Sequence, residues 1–305
     1  MKKQGSILAV TMAMVLSILV SCTEKVEVVK EKQVFVNQSF DPEKGAVNLM
    51  FEHTVNGNPF EINKSFTDAN GDTYRFDELR YWISNVRFIK ANGESVAIPD
   101  SYYLVENRDT LYFYGTTSTA VTNNFSLPKK REEVLVGNVP AGEYTKVKFA
   151  VGVDPVYNDN FSLRAGELDI NQMAQVAGWA WQTSYIFLRT KGIFLPKGAD
   201  PLTAASKFVA ETGGNDMYRE VELNLASPLL SKAGIISEVT ITTEVLNLFK
   251  SLSIPAFKGT KPAGWAADPN LTKYDKFLNA GSVDDMKTLS NNVSGGFITK
   301  AATTR

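Results

Sequence analysis

The sequence predicts an all-β fold, a single domain built as an antiparallel β-sandwich with long loops and few short helices. Three observations carry this reading. Asn-Gly pairs stand at 56–57, 70–71 and 92–93, each beside an aromatic or β-branched run. Asn-Gly favours hairpins because a type I′ turn needs positive φ at both central residues. Short runs alternate apolar and polar residues along the chain, the period of a half-buried strand. Helical periodicity is confined to two short stretches, Asp169–Val176 and Val283–Ser290.

The first element is not part of the fold. MKKQGSILAVTMAMVLSILVSC has a basic start and a short apolar run, the pattern of a secretory signal peptide at residues 1–21. Leu19-Val20-Ser21-Cys22 resembles the lipobox of bacterial lipoproteins, which implies cleavage before Cys22 and lipidation of its sulfur. Cys22 is the one cysteine in the chain, and a lone cysteine in an exported protein otherwise lacks a purpose. An ordinary signal peptide that happens to hold a cysteine is the alternative. Each buried methylene of an acyl chain contributes about 0.8 kcal/mol, so two or three chains anchor durably. Residues 22–46 are polar and read as a lipidated tether, with a short strand at Gln33–Asn37. The β-sandwich domain then spans residues 47–305.

Within it, strands are expected at Val47–Phe51, Asp72–Phe76, Trp82–Ile89, Ser95–Ile98 and Tyr102–Glu106. Others follow at Glu133–Gly137, Lys146–Val151, Ser184–Leu188, Glu220–Leu225 and Glu238–Thr243. The stretch Ile254–Asn279 is rich in Pro, Gly, Ala and Asp and reads as surface loop. In GWAWQTSYIF an extended chain places Trp179, Trp181, Thr183, Tyr185 and Phe187 on one side. Such rings bury about 150–250 Å² each as core, or one of them lines a site. Trp82, in RYWISN, points opposite to Tyr81 and Ile83.

The net charge of −1 argues against nucleic acid, whose phosphates call for a basic excess. With Cys22 consumed, the mature chain has no thiol for a disulfide, a thiolate metal site or a nucleophile. His53 is the one histidine. No Gly-x-Ser-x-Gly elbow accompanies it, and no phosphate loop or dinucleotide fingerprint is present. Paired carboxylates could hydrolyse glycosides without histidine, but nothing singles out a pair among 33 acidic residues. The expectation is therefore a protein that is not an enzyme.

Asp68-Ala69-Asn70-Gly71-Asp72 starts like an EF-hand loop. Thr73 then stands where glycine is needed and Leu79 where a bidentate glutamate is needed, so a hairpin turn is expected. Asp154, Asn158, Asp159 and Asn160 form either a polar loop or the beginning of a calcium site, which would need six or more oxygens. Met50, Met173 and Met217 are core filler or thioether ligands suited to Cu(I). Val47, Leu49, Phe51, His53 and Val55 share an apolar face, so His53 is either a hydrogen-bonded structural residue or a ligand.

Several segments in order resemble one family. They are VNLMFEHTVNGNPFEI, FDELRYWISNVRFIKANGESV, VPAGEYTKVKFAVGVDPVYN, MAQVAGWAWQTSYIFLRTKG and NNVSGGF. Together they resemble the MbnP-like family of copper-binding proteins over residues 47–297. A large branch of that family occurs as lipoproteins of Bacteroidetes, which the Ser-Cys lipobox suits. The resemblance implies a one-domain all-β fold and copper held by histidines with an oxidised tryptophan. It also implies a dihaem peroxidase partner that performs the oxidation. This chain departs from the methanotroph pattern: Asp159, not histidine, follows Asn158, and KFVAETGGNDMYREVEL holds no histidine. One histidine cannot make a two-histidine site. The resemblance therefore implies a metal site of His53, Trp179 and Trp181 near one end of the sandwich. The expected protein is a non-enzymatic cell-envelope lipoprotein that binds or handles copper, on the outer membrane and facing the periplasm or the surface. The alternative is a lipid-anchored ligand- or protein-binding module that has lost the metal.

Overall fold

The computed structural model describes residues 40–112, 125–169, 172–173, 185–200, 205–256, 277–279 and 282–304. The first strands are β1 (Gly45–Val55), β2 (Asn58–Pro59), β3 (Ser65–Thr67), β4 (Thr73–Ile89), β5 (Ser95–Ala97) and β6 (Tyr102–Arg108). Then come β7 (Leu111–Tyr112), β8 (Phe125–Ser126), β9 (Lys129–Arg131), β10 (Glu133–Val139) and β11 (Gly142–Val151). The last are β12 (Ile186–Leu195), β13 (Ser206–Gly213), β14 (Arg219–Ser231), β15 (Ile236–Glu244), β16 (Phe277–Asn279) and β17 (Ile298–Thr304). Among the described residues helix is limited to Pro155–Asn158, Val283–Asn292 and short tight turns. The protein is thus mostly β.

Fifteen strands form one sheet, whose main path runs β10-β1-β15-β17-β14-β11-β4-β12-β13-β16. It curls strongly into a half-barrel around the main core. This corrects the expected antiparallel sandwich in two ways. There is one continuous sheet where two layers were expected, and the pairs β1–β15, β14–β17 and β13–β16 are parallel. Asn-Gly turns and local alternation report hairpins. A parallel neighbour arrives through a long crossover and leaves no such local mark.

The three Asn-Gly pairs do turn hairpins, linking β1–β2, β3–β4 and β4–β5. Only the first has positive φ at both residues, Asn56 at 51° and Gly57 at 74°. At the second, the Asp68 carboxylate accepts the backbone N–H groups of Asn70 and Asp72, each at 2.9 Å. That bonding is a turn, as expected in place of an EF-hand. The expected helix at Val283 is present. The expected loop Ile254–Asn279 ends instead in β16, and the expected helix at Asp169–Val176 falls largely outside the described residues.

The position of the site follows from β4. This 17-residue strand was expected as two separate strands. Its main-core side chains run Tyr74, Phe76, then Leu79, Tyr81, Ile83, then Val86, Phe88. Parity shifts twice because β4 carries an extra residue at two places. Lys191 and Gly192 of β12 face Glu78 and Phe76, skipping Asp77. Lys148 and Ala150 of β11 face Arg87 and Ser84, where Asn85 adopts φ 54°. Such bulges bend a strand and raise its twist. One edge of β4 therefore pairs with β12 along its first half and with β11 along its second. The sheet forks between them, at Trp82.

Candidate functional site

At the fork, Gly152 donates its N–H to the Trp82 carbonyl at 3.0 Å. Gly152 has φ +120°, and a Cβ there would lie 2.6 Å from the Phe187 ring. Only glycine permits this approach of the two branches. Trp82 fills the space between them with Tyr102, Leu104, Val153, Tyr185, Phe187 and three methionines, Met173, Met217 and Met286, all in one buried apolar cluster. Its ring meets Tyr185 edge-on at 5.8 Å, and Tyr185 meets Phe161 at 5.0 Å. The Trp82 indole N–H has no acceptor among the described residues.

Beside this cluster lies a polar knot. The Asn85 amide donates to Asp154 at 3.0 Å and to the Tyr218 hydroxyl at 2.8 Å. Tyr102 also donates its hydroxyl to Asp154. Burial first, then the Asp154 carboxylate, pushes the Tyr102 phenol well above its ordinary range. Asn158 accepts the N–H of Tyr185 at 2.8 Å and donates to Asn215 at 2.8 Å, and Asn215 donates to Asp159. Asn160 accepts from Ser162. Asp154, Asn158, Asp159 and Asn160 are therefore engaged in polar bonds, those of Asp154 and Asn158 stapling the fork; this is the polar-loop alternative of the sequence. Among the described residues no group of three or more His, Cys, Asp or Glu is placed to hold a metal.

A band of charge continues along the same face of the sheet. Glu78, fully buried, meets Lys191 at 2.9 Å, Arg80 at 3.5 Å and Arg189 at 3.6 Å. Glu106 meets Arg80 at 2.8 Å, Arg108 at 3.2 Å and Lys129 at 3.3 Å. Glu211 pairs with Arg189 at 3.0 Å. Burial alone would raise the Glu78 carboxyl, but Lys191, Arg189 and Arg80 outweigh it and hold it at about 2. For Glu211 burial wins over Arg189, and its carboxyl is pushed up.

His53 lies on the opposite side of β4. Its Nδ1 is 2.9 Å from a Glu132 oxygen and its Nε2 is 2.8 Å from the Tyr81 hydroxyl. A carboxylate only accepts, so Nδ1 donates its proton to Glu132, and Nε2 bonds the Tyr81 hydroxyl. Glu132 also takes a bond from Asn107 at 3.0 Å and pairs with Lys130 at 3.0 Å. Burial pushes its carboxyl up, yet the bond and charge of His53, with Lys130, bring it below the ordinary range. A carboxylate orienting a histidine is the arrangement that supports a histidine metal ligand. Here a phenol stands where the metal would be. Phe60 and Tyr81 pack edge-on to the imidazole at 6.2 and 5.7 Å. Both ring nitrogens are thus satisfied inside a packed aromatic core. The described residues do not fit a copper centre built on two histidines.

Trp179 and Trp181 lie outside the described residues. Tyr185, which follows them, sits on the Trp82 side of β4, whereas His53 touches Tyr81 on the other. Met173 and Met217 share the Trp82 cluster, while Met50 is half-buried in β1. Sequence reading passed over Tyr81, Glu132 and Asn215. The pairing of Asn85 with Asp154 had a signal, since the two residues stand in FDELRYWISNVRFIKANGESV and VPAGEYTKVKFAVGVDPVYN, two of the segments that carry the family resemblance.

The family described as MbnP matches residues 44–263. Among solved structures the chain is similar to MbnP from Methylosinus trichosporium, with 15% identity, a TM-score of 0.44, and coverage of 77% of this chain and 94% of that one. None of the curated proteins compared with the chain matches it.

Proposed function

The chain belongs to the MbnP family, and from that premise we propose a non-enzymatic, lipid-anchored protein of the bacterial cell envelope that acts by binding. Leu19-Val20-Ser21-Cys22 supports the anchor, on an outer-membrane lipoprotein facing the periplasm or the surface. The observation that carries the binding reading is the closed Glu132–His53–Tyr81 chain, in which the one imidazole already has two partners. The reading best supported is a ligand- or protein-binding module that keeps the family's fold without a two-histidine copper centre.

Copper handling is the second reading, favoured by family membership. Copper would supply a redox-active soft cation, and His53, Trp179 and Trp181 would be the residues to hold it. A dihaem peroxidase would then be the partner that oxidises a tryptophan.

The test is elemental analysis of protein from its native envelope, with Cu(I) and Cu(II) titrations of wild type and His53→Ala. Peptide mass spectrometry at Trp179 and Trp181 completes it. Substoichiometric copper and unmodified tryptophans are expected. Stoichiometric copper lost in His53→Ala, or an oxidised tryptophan, would establish the second reading. Cys22→Ala should move the protein from the membrane to the soluble fraction.

A further inference from the structure

Eight large apolar side chains are exposed among the described residues; three of them flank the turn from β14 to β15, and Phe40 precedes the segment that enters the same end. Leu230 is 48% exposed, Ile235 52% and Ile236 63%, and Phe40 is 42% exposed. Leu230 is the last residue but one of β14, between buried Leu229 and Ser231, so the strand's alternation turns Leu230 outward. Gly234, at φ +69°, makes the turn that carries Ile235 and Ile236 back into β15. The Ser237 hydroxyl, donating to the Leu230 carbonyl at 3.0 Å, ties the two strand ends together. Single exposed apolar residues are ordinary, but a contiguous group marks a contact surface.

This tip lies where the chain enters the fold. The Gly234 N–H donates to the Lys44 carbonyl at 3.1 Å, and the Ala46 N–H donates to the Ile235 carbonyl at 3.0 Å. The Asp41 N–H donates to the Asn138 side chain at 2.8 Å, holding the segment after Phe40 against the same end. Cys22 precedes Phe40 by 18 positions, a reach of at most about 60 Å at full extension. A chain anchored at Cys22 therefore delivers this end of the sheet to the bilayer at high effective concentration.

We propose that the Leu230–Ile236 tip is a membrane-docking surface, its isoleucines entering the lipid headgroup boundary so that the β body sits end-on against the bilayer. Lys44 and Lys232 border it; Asp41, Glu43 and Glu143 border it too, so insertion of apolar side chains, with little help from charge, drives the contact. The proposal rests on the lipid-anchored reading for its physiological setting. A protein held by acyl chains alone would tumble at the end of its tether, whereas a docked one presents a fixed face outward.

Every described element lies at or after residue 40, so a chain beginning at Thr23 keeps the whole β body while lacking lipid. Its binding to vesicles of phosphatidylethanolamine and phosphatidylglycerol, measured by flotation, tests docking apart from lipidation. Measurable partitioning is expected, weakened at least tenfold by Ile235→Asp with Ile236→Asp and unchanged by Leu127→Asp, an exposed apolar residue of another region. Dichroism verifies the fold, and Leu230→Lys serves as second variant if the double one misfolds. No partitioning of the parent chain, or equal partitioning of parent and variants, would overturn the proposal. Self-association that the variants abolish, without vesicle binding, would also overturn it and assign the tip to a second copy of the chain. Loss of acylation at Cys22 is read separately, by palmitate incorporation in the full-length protein.

Discussion

On one face of β4, Leu79, Tyr81 and Ile83 pack into the main core; on the other, Glu78, Arg80 and Trp82 are as thoroughly closed to solvent. Between Leu79 and Ile83 the first face holds one polar group, the Tyr81 hydroxyl, with the His53 ring as its partner. The second alternates carboxylates and cations along the strand before ending in an indole. Apolar packing tolerates small repacking, because no single contact carries a charge. A buried ion cluster does not, because each removed partner leaves an uncompensated charge. Two faces of equal burial therefore differ in how they fail.

The largest effect should come from Trp82→Ala. It empties the space between the branches of the fork and should cost about 3–5 kcal/mol in urea unfolding. A loss near that of an exposed residue would show that the fork closes without the indole. Glu78→Gln should come next, at about 3 kcal/mol, since Lys191, Arg189 and Arg80 all lose their shared counter-charge. Glu78 also sets a pH dependence. Its folded pKa of about 2 lies below the ordinary carboxylate value. Its stabilisation is present above about pH 5 and fades as pH falls towards 2, amounting to about 3 kcal/mol. Wild type should thus lose more stability than Glu78→Gln between pH 5 and 2, and parallel curves would disprove the assignment. Glu106 and Glu132, whose carboxyls are also lowered, should contribute in the same sense to both proteins. On the apolar face, Tyr81→Phe removes the hydroxyl bonded to His53 Nε2 and should cost about 1–2 kcal/mol. The His53 ring nitrogen shift in NMR should report the lost bond. The smallest change lies outside both faces. Gly57→Ala meets no atom within 4 Å and should cost about 1 kcal/mol, from positive φ alone.

The hairpins were legible because Asn-Gly acts through the residues that form the turn. β1 and β11 were legible because one parity of each faces the core. β4 read as two strands because the extra residues at Asp77 and Asn85 reverse its parity, and because both its faces are buried. β13 escaped notice because Lys207 and Glu211, which look like solvent-facing charge, point instead into partly buried ion pairs with Asp77 and Arg189. β17, Ile298–Thr304, is mostly small and polar and takes its place from its neighbours. For His53 the sequence left two alternatives. What decides its surroundings is Glu132, 79 positions away, and no local pattern encodes that distance.

The strand β17 sits between β15 and β14, inside the sheet rather than at its rim. β1 likewise takes its parallel partner from β15, so that Thr54 and Glu244 bond across 190 positions. Folding of such a topology is governed by loop closure over most of the chain and is slow compared with hairpin formation. A polypeptide threaded through a membrane from its N-terminus would present β1 on the far side long before β15 arrives. The two would then meet with a gap beside them until residues 298–304 emerged to fill it. Were the chain exported in this way, the sheet would stay open, with unpaired edges, until residues 298–304 had crossed.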